Sequence, residues 1–307
     1  MDTRDLLKKI TNLHIVAGGL AQEMLAGNFR SLFKGQGIEF DEERHYQWGD
    51  DAKNIDWNAS ARLGTAFVKM FREERELAIM LLLDCSASMH SSAVNPWGNE
   101  FSETQEDKPS PYEQALLCAA LIAFSAERSG QRVGAFLFDH EIQRVFPPRK
   151  GKGNVMAIVS GALAHHKAPA KHKNSSNLLA AITGAEQLLK RRSMVIIISD
   201  FLSIGWEQKF ADLCRLHDVI AVRISGPKDN YISDIGLLSI EDPETGIKIS
   251  VPTGNVSFRD AWTRWNEDRS DLWRKNCRRA GAAQLELPVD ADAAAALTRF
   301  FGSRSRH

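Results

Sequence analysis

The sequence predicts an α/β fold built on a doubly wound, mostly parallel sheet, preceded by a small N-terminal α+β module. Three observations carry this. Leu77–Leu83 and Met194–Ile198 are continuous apolar runs, the mark of strands covered on both faces. Segments with helical spacing separate these runs from further short apolar runs. Strands alternating with helices give a parallel sheet.

The elements follow in order. Residues 4–33 carry apolar positions at helical spacing (Leu6, Ile10, Leu13, Leu20, Met24), with Gly18-Gly19 as a point where the helix can kink or divide. Gly35-Gln36-Gly37 breaks the pattern. Residues 37–75 are dense in charge and aromatics, and the alternation of Phe67-Val68-Lys69-Met70-Phe71 reads as a half-buried strand. This N-terminal module spans 1–75. The larger domain spans 76–301, and Gly302–His307 is expected to be a disordered tail.

Within the larger domain the strands are expected at Leu77–Leu83, Val133–Phe138, Ile142–Phe146, Met194–Ile198, Val219–Ile224 and Gln284–Leu287. Helices are expected at 111–128, where Pro111 suits a first turn, and at 154–164, 176–190, 206–216, 257–280 and 290–301. A hairpin is expected over 236–251 around Asp242-Pro243-Glu244-Thr245-Gly246. In the 257–280 helix, Trp262, Trp265, Leu272 and Trp273 fall near one face and read as its core stripe. Ser91–Ser110 has no regular period, and reads as a flap or partner contact or, with equal weight, as a tolerated surface insertion.

Composition excludes several function classes. The 307 residues carry 39 Lys+Arg and 39 Asp+Glu, so no global field favours nucleic acid or an anionic membrane. Cys85, Cys118, Cys214 and Cys277 are scattered, with no C-x-x-C pair. Free thiols fit a reducing cytosol. Met1-Asp2-Thr3-Arg4-Asp5 has no secretory apolar region, and no apolar run is long enough to span a bilayer. A soluble cytoplasmic protein is the expectation.

The chemistry is concentrated in Leu81-Leu82-Leu83-Asp84-Cys85-Ser86-Ala87-Ser88-Met89. An apolar strand ends in Asp-x-Ser-x-Ser, and alternate side chains of an extended segment point the same way. Asp84, Ser86 and Ser88 therefore present three oxygens on one side of a loop at the carboxyl end of a strand, where open α/β sheets place ligands. All-oxygen ligation suits a hard cation, with Mg²⁺ the default and Mn²⁺ possible.

Asp84-x-Ser86-x-Ser88 resembles the metal-ion-dependent adhesion site of von Willebrand factor A domains. That resemblance implies two further ligands: a Thr just before a helix, whose position falls on Ser176 here, and an Asp ending a later strand, which is Asp200 in Ser199-Asp200-Phe201. Serine keeps the hydroxyl ligand, and Ser175 is the alternative one residue away. Upstream, Gly35-Gln36-Gly37-Ile38-Glu39-Phe40 and Arg44-x-Tyr46-x-x-Gly49-Asp50-Asp51-x-Lys53-x-Ile55-Asp56-Trp57-x-x-Ser60-Ala61-Arg62 resemble the domain of unknown function 58 family. Trp48 and Lys53 depart from the usual Pro and Arg. The resemblance covers roughly 28–255. It implies a non-enzymatic, metal-dependent protein-binding adaptor working with a MoxR-type AAA+ ATPase in assembly or maturation of client proteins. A partner would supply an acidic side chain to the metal.

The competing reading is a Mg²⁺-dependent phosphotransferase or phosphatase using Asp84. That class wants a second Asp two residues on as general acid, and Ser86 stands there. No Gly-x-Ser-x-Gly elbow supports a serine hydrolase. Cys85 lies between ligands and points away from them, and with no histidine partner apparent it reads as a small buried residue rather than a nucleophile. Asp50, Asp51, Asp56 and Arg62 read as an ion-paired knot rather than an acid–base cluster. His165-His166 and Lys171-His172-Lys173 read as a solvated loop, Gly151-Lys152-Gly153-Asn154 as an incomplete phosphate loop, and Arg274–Arg279 as a solvated basic face.

Overall fold

The structure, a computed structural model, describes residues 39–48, 50, 55–72, 78–90, 109–167, 176–226, 232, 234, 236–241 and 248–304. The expected helix at 4–33, residues 91–108 of the insertion, the hairpin turn at 242–247, Asp51, Lys171–Lys173 and Ser175 lie outside them. The chain falls into two compact units, one of them Asn28–Glu76, the other containing Leu77–His307.

In the smaller unit, β1 (Glu39–His45) pairs antiparallel with β2 (Phe67–Arg72). Between them lies α1 (Trp57–Leu63), a helix without an apolar period. It forms because Asp56 caps it, accepting from the backbone N–H of Asn58 and Ala59, and because Gly64 closes it in the left-handed conformation at φ 71°. Asp56 is therefore a cap. Asp50 instead pairs with Arg44 at 2.7 Å and accepts from the backbone of Gln47. Arg62 reaches back to the Asn58 carbonyl.

The larger unit holds a six-stranded sheet in the order β10 (Ala283–Pro288), β7 (Asp218–Ser225), β6 (Met194–Ser199), β3 (Ala78–Asp84), β4 (Arg132–Phe138), β5 (Ile142–Arg149). All neighbours are parallel except β5, which runs antiparallel to β4. Numbered within this unit, the order is the doubly wound 3-2-1-4-5-6, with its switch point between β3 and β6. β3 and β6 are buried almost throughout, as their apolar runs require.

Side-chain alternation divides the core into two layers. Met80 and Leu82 face one side, with Val195 and Ile197, and join Ile182, Phe210, Leu213 and Trp273. These belong to α5 (Leu178–Leu188), α6 (Glu207–Leu216) and α7 (Val256–Ala280). Leu81 and Leu83 face the other side, against Leu116, Ala119, Ile158 and Ala162 of α3 (Pro111–Arg128) and α4 (Lys152–Lys167). A capping box starts α3: Ser110 and Glu113 exchange side-chain and backbone hydrogen bonds in front of Pro111. A short helix, α2 (Ala87–His90), continues the Asp-x-Ser-x-Ser loop.

The expected hairpin is β8 (Leu237–Glu241) with β9 (Lys248–Pro252). Three expectations are corrected. The final helix, α8 (Ala293–Arg304), runs through Gly302 and Ser303, where a tail was expected; Arg304 pairs with Asp218 at 3.0 Å and anchors this end. The core stripe of α7 is Asn266, Ser270, Trp273 and Cys277, while Trp265 and Leu272 are exposed. At about 100° per residue, Trp265 and Leu272 lie at the edge of the predicted arc, away from the sheet. His165 and His166 sit half-buried at the end of α4 instead of in a solvated loop.

Candidate metal centre

Four loops at the carboxyl edge of the sheet converge on Asp84. It is the last residue of β3 and has no exposed surface. Beyond it the backbone N–H of Cys85 donates to the Phe138 carbonyl, which fixes the loop against β4. The Asp84 carboxylate accepts from the backbone N–H of Ser86 on Oδ1 at 2.9 Å. Its Oδ2 accepts from the hydroxyls of Ser176 at 2.8 Å and Ser199 at 2.6 Å. A second chain of oxygens closes the cluster: Ser86 Oγ lies 3.0 Å from Ser88 Oγ, which donates to Asp200 Oδ2 at 2.7 Å.

All five predicted residues, Asp84, Ser86, Ser88, Ser176 and Asp200, are thus joined by hydrogen bonds across 117 positions of sequence, 84 to 200 inclusive. Ser176 is placed by its neighbour. Asn177 caps α5 through Ala180 N–H, donates its backbone N–H to the Asp139 carbonyl, and donates its side-chain amide to the His140 carbonyl.

Asp200 is placed by an unusual backbone. Phe201 has φ 55°, a left-handed conformation that costs a bulky residue roughly 1–3 kcal/mol. Its ring is held between Trp206 and Trp273, at 5.4 and 5.7 Å between centroids. The turn lets Leu202 N–H donate to Asp200 Oδ1 and Phe201 N–H donate to Ser199 Oγ.

Ser199 was not among the predicted ligands. Reading along β6 places it opposite to Asp200. Register supplies what the strand alone does not: Leu83 pairs with Ile198 in parallel, so Asp84 and Ser199 are the next neighbours on the same face.

The electrostatics of the cluster centre on the buried Asp84 carboxyl. Burial pushes the Asp84 carboxyl up from its ordinary range, and hydrogen bonds from Ser199, Ser86 and Ser176 pull against it. Among the described residues the hydrogen-bond partners of the carboxylate are two hydroxyls and one backbone N–H, with no cationic side chain. A buried carboxylate without a paired charge is costly. The donor set fits a divalent ion: all oxygen, two carboxylates to balance its charge, and O···O spacings of 2.7–3.0 Å. Oxygens at adjacent corners around Mg²⁺ stand about 2.9 Å apart, given bonds of about 2.0–2.1 Å. Asp84, Ser86, Ser88, Ser176 and Asp200 would hold the ion. Among the described residues no group of three His, Cys, Asp or Glu side chains is arranged for a metal.

Beside this centre is an aromatic cluster. His90 stacks on Tyr112 at 4.2 Å, with His166 and His165 rings at 5.7 and 6.1 Å. Tyr112 donates to the Ala162 carbonyl, and burial raises the Cys85 thiol well above its ordinary value. Cys85 is therefore protonated and packed rather than nucleophilic. Asn154, in the Gly-Lys-Gly-Asn segment, donates to the Val133 and Arg149 carbonyls and ties α4 to the sheet.

The strand order, the antiparallel edge and an Asp-x-Ser-x-Ser loop ending the first strand define a von Willebrand A-like α/β domain. Residues 42–271 match the family described as protein of unknown function DUF58, and the chain belongs to that family. It is similar to uncharacterized proteins of Mycobacterium tuberculosis (Rv1480) and Mycobacterium bovis (Mb1516), each 29% identical over 310 residues, covering 100% of this chain and 92% of theirs. Among solved structures, BatB from Bacteroides thetaiotaomicron aligns over 75% of this chain and 100% of its own at 13% identity, with a TM-score of 0.43. The SpRpn10 VWA domain aligns over 73% and 94% at 12% identity, with a TM-score of 0.39. No described helix is long and apolar enough to cross a membrane.

Proposed function

We propose that this protein is a non-enzymatic adaptor that binds a partner through a metal ion held by Asp84, Ser86, Ser88, Ser176 and Asp200. The observation that carries the reading is the Asp84 carboxylate, fully buried and partnered by two hydroxyls and a backbone N–H, with no cationic side chain bonded to it among the described residues. Mg²⁺ is the natural occupant and Mn²⁺ the natural substitute. When bound, the ion supplies an electrophilic position that an external carboxylate can fill.

The protein's own part is to hold the donors and leave that position open. Three hydroxyls are neutral and weak donors, so the ion keeps charge to offer. Ser88 and Asp200 are half-buried and lie on the outer side of the cluster, whereas Asp84 and Ser86 are sealed beneath. The partner would then be an acidic side chain of a client or of a MoxR-type AAA+ ATPase, the partner class that the family resemblance suggests. A phosphotransferase is disfavoured by Ser86, which offers no carboxyl two residues after Asp84 to protonate a leaving group.

The test is capture from native lysate by tagged wild type and Asp84→Ala, each with Mg²⁺ or EDTA, alongside direct Mg²⁺ titration. A AAA+ ATPase or client held only by metal-loaded wild type supports the adaptor. Identical captures under all four conditions contradict it.

A further inference from the structure

The chain's charges balance, 39 against 39, but the fold of the larger unit separates them. β10, β7, β6, β3 and β4 are parallel, so their amino ends share one edge of the sheet. Antiparallel β5 brings its carboxyl end to the same edge, with Arg149 beside Val133. Exposed cations follow this edge across the sheet. Arg149 and Lys152 stand at the β5 side, and Arg132 opens β4. Lys190, Arg191 and Arg192 lead into β6, and Arg278 and Arg279 end α7 beside β10. Among the described residues the acids here are Glu127, Glu186, Asp212 and Asp218. The last three pair with Lys209 at 3.1 Å, Arg215 at 3.1 Å and Arg304 at 3.0 Å. The opposite edge carries Asp139, Glu141, Asp200, Asp290 and Asp292. The two edges are about 20 Å apart along β3, more than twice the screening length of about 8 Å at physiological salt. The acidic edge therefore does not cancel the field of the basic one.

Helix dipoles account for only part of this pattern. Arg278 and Arg279 complement the negative end of α7. Lys152, however, stands in the first turn of α4, where the dipole disfavours a cation, and Lys190, Arg191 and Arg192 lie in a loop. Two leucines accompany the cations: Leu188 ends α5 and Leu216 ends α6, 36% and 52% exposed. Five strand spacings make the edge about 24 Å wide. Its described loops carry no exposed aromatic ring on which a nucleic-acid base could stack. A broad edge of guanidinium and ammonium groups with apolar side chains between them suits a phospholipid surface, where phosphates lie above acyl chains.

We propose that the amino edge of the sheet is a docking surface for an anionic phospholipid bilayer. Arginine and lysine meet the lipid phosphates, and Leu188 and Leu216 enter the headgroup layer. The Asp84 cluster lies at the opposite edge, so a chain seated this way turns that cluster away from the bilayer. The contact is independent of any metal.

The test is binding of the full chain in EDTA, so that no divalent ion bridges protein and lipid. The probes are vesicles of phosphatidylcholine, vesicles of equal parts phosphatidylcholine and phosphatidylglycerol, a duplex DNA and polyglutamate. Wild type should sediment with the phosphatidylglycerol vesicles, not with phosphatidylcholine alone, and should be released as salt rises. Each cation at an anionic bilayer contributes about fivefold to binding, so Lys190→Gln plus Arg191→Gln plus Arg192→Gln should lower the partition coefficient about a hundredfold. Arg149→Gln plus Lys152→Gln, on the other side of the sheet, should lower it about twenty-fivefold. Glu141→Gln plus Asp290→Asn, at the opposite edge, should bind as wild type. No sedimentation of wild type with phosphatidylglycerol vesicles overturns the proposal, as does undiminished sedimentation of either basic-edge variant when its melting curve shows it folded. Binding to duplex DNA or polyglutamate without binding to vesicles also overturns it, since the edge would then serve a nucleic acid or an acidic protein.

Discussion

Ser199 Oγ stands 2.6 Å from Asp84 Oδ2 and at the same time accepts from the backbone N–H of Phe201. One hydroxyl thereby couples the buried carboxylate of β3 to the turn that aims Asp200. Groups that orient metal ligands in this way carry 10–100-fold of affinity. Ser199→Ala should weaken Mg²⁺ binding by about that factor and also lower the thermal midpoint of the metal-free protein, because the Phe201 N–H loses its buried acceptor at a cost of about 1–3 kcal/mol. Calorimetric titration and a melting curve in EDTA check both halves.

Asp84→Asn retains the shape of the side chain and removes the charge that burial disfavours. The variant should fold in EDTA with a midpoint equal to or above wild type. Mg²⁺ should raise the midpoint of wild type alone, by about 2.7 kcal/mol of stability at one hundred times the dissociation constant. A melting series in Mg²⁺ distinguishes them.

The first layer of this site was legible in sequence because it depends on one-dimensional rules. Apolar runs marked β3 and β6, and alternation put Asp84, Ser86 and Ser88 on one side. Ser199 was hidden because its partner lies across a strand pair, where register decides. Helix α1 was hidden because it buries only Ala59 and rests on its caps, Asp56 and Gly64. Four apolar residues within one arc of α7 resemble a buried stripe, yet of these Trp273 faces the core while Trp265 and Leu272 are exposed. The polar residues Asn266 and Ser270 share the core face with Trp273, and there Ser270 accepts from Arg223 at 2.7 Å. Periodicity shows that a helix has an apolar side; it does not show which side meets the sheet.

Gly134 lies at the irregularity in the β4–β5 pairing, where the two backbones come close together. A Cβ there would lie 2.7 Å from the Phe146 carbonyl and 2.9 Å from the Pro148 nitrogen, both backbone atoms that cannot swing aside. Gly134→Ala should cost about 1–3 kcal/mol, read as a lowered urea midpoint.

His217 is buried behind α6, and its Nδ1 accepts from the Ser193 backbone N–H at 3.2 Å. Burial holds its pKa below the ordinary value of 6.5, with Arg192 adding to the effect. The folded state thus resists a proton that the unfolded state accepts. The stabilisation is complete above about pH 6.5 and declines as the pH falls toward the lowered folded value. Urea midpoints from pH 8 down to 5 should fall, and His217→Gln should flatten that decline.

The most direct test of the central claim is water-proton relaxation during Mn²⁺ titration of wild type and Asp84→Ala. Saturable binding of one Mn²⁺ with enhanced relaxation, reversed by Mg²⁺ and quenched by a carboxylate such as acetate, is the result predicted for a held ion with an open coordination position. Wild type that binds no Mn²⁺, or binds it equally in Asp84→Ala, contradicts the metal-bridged docking account.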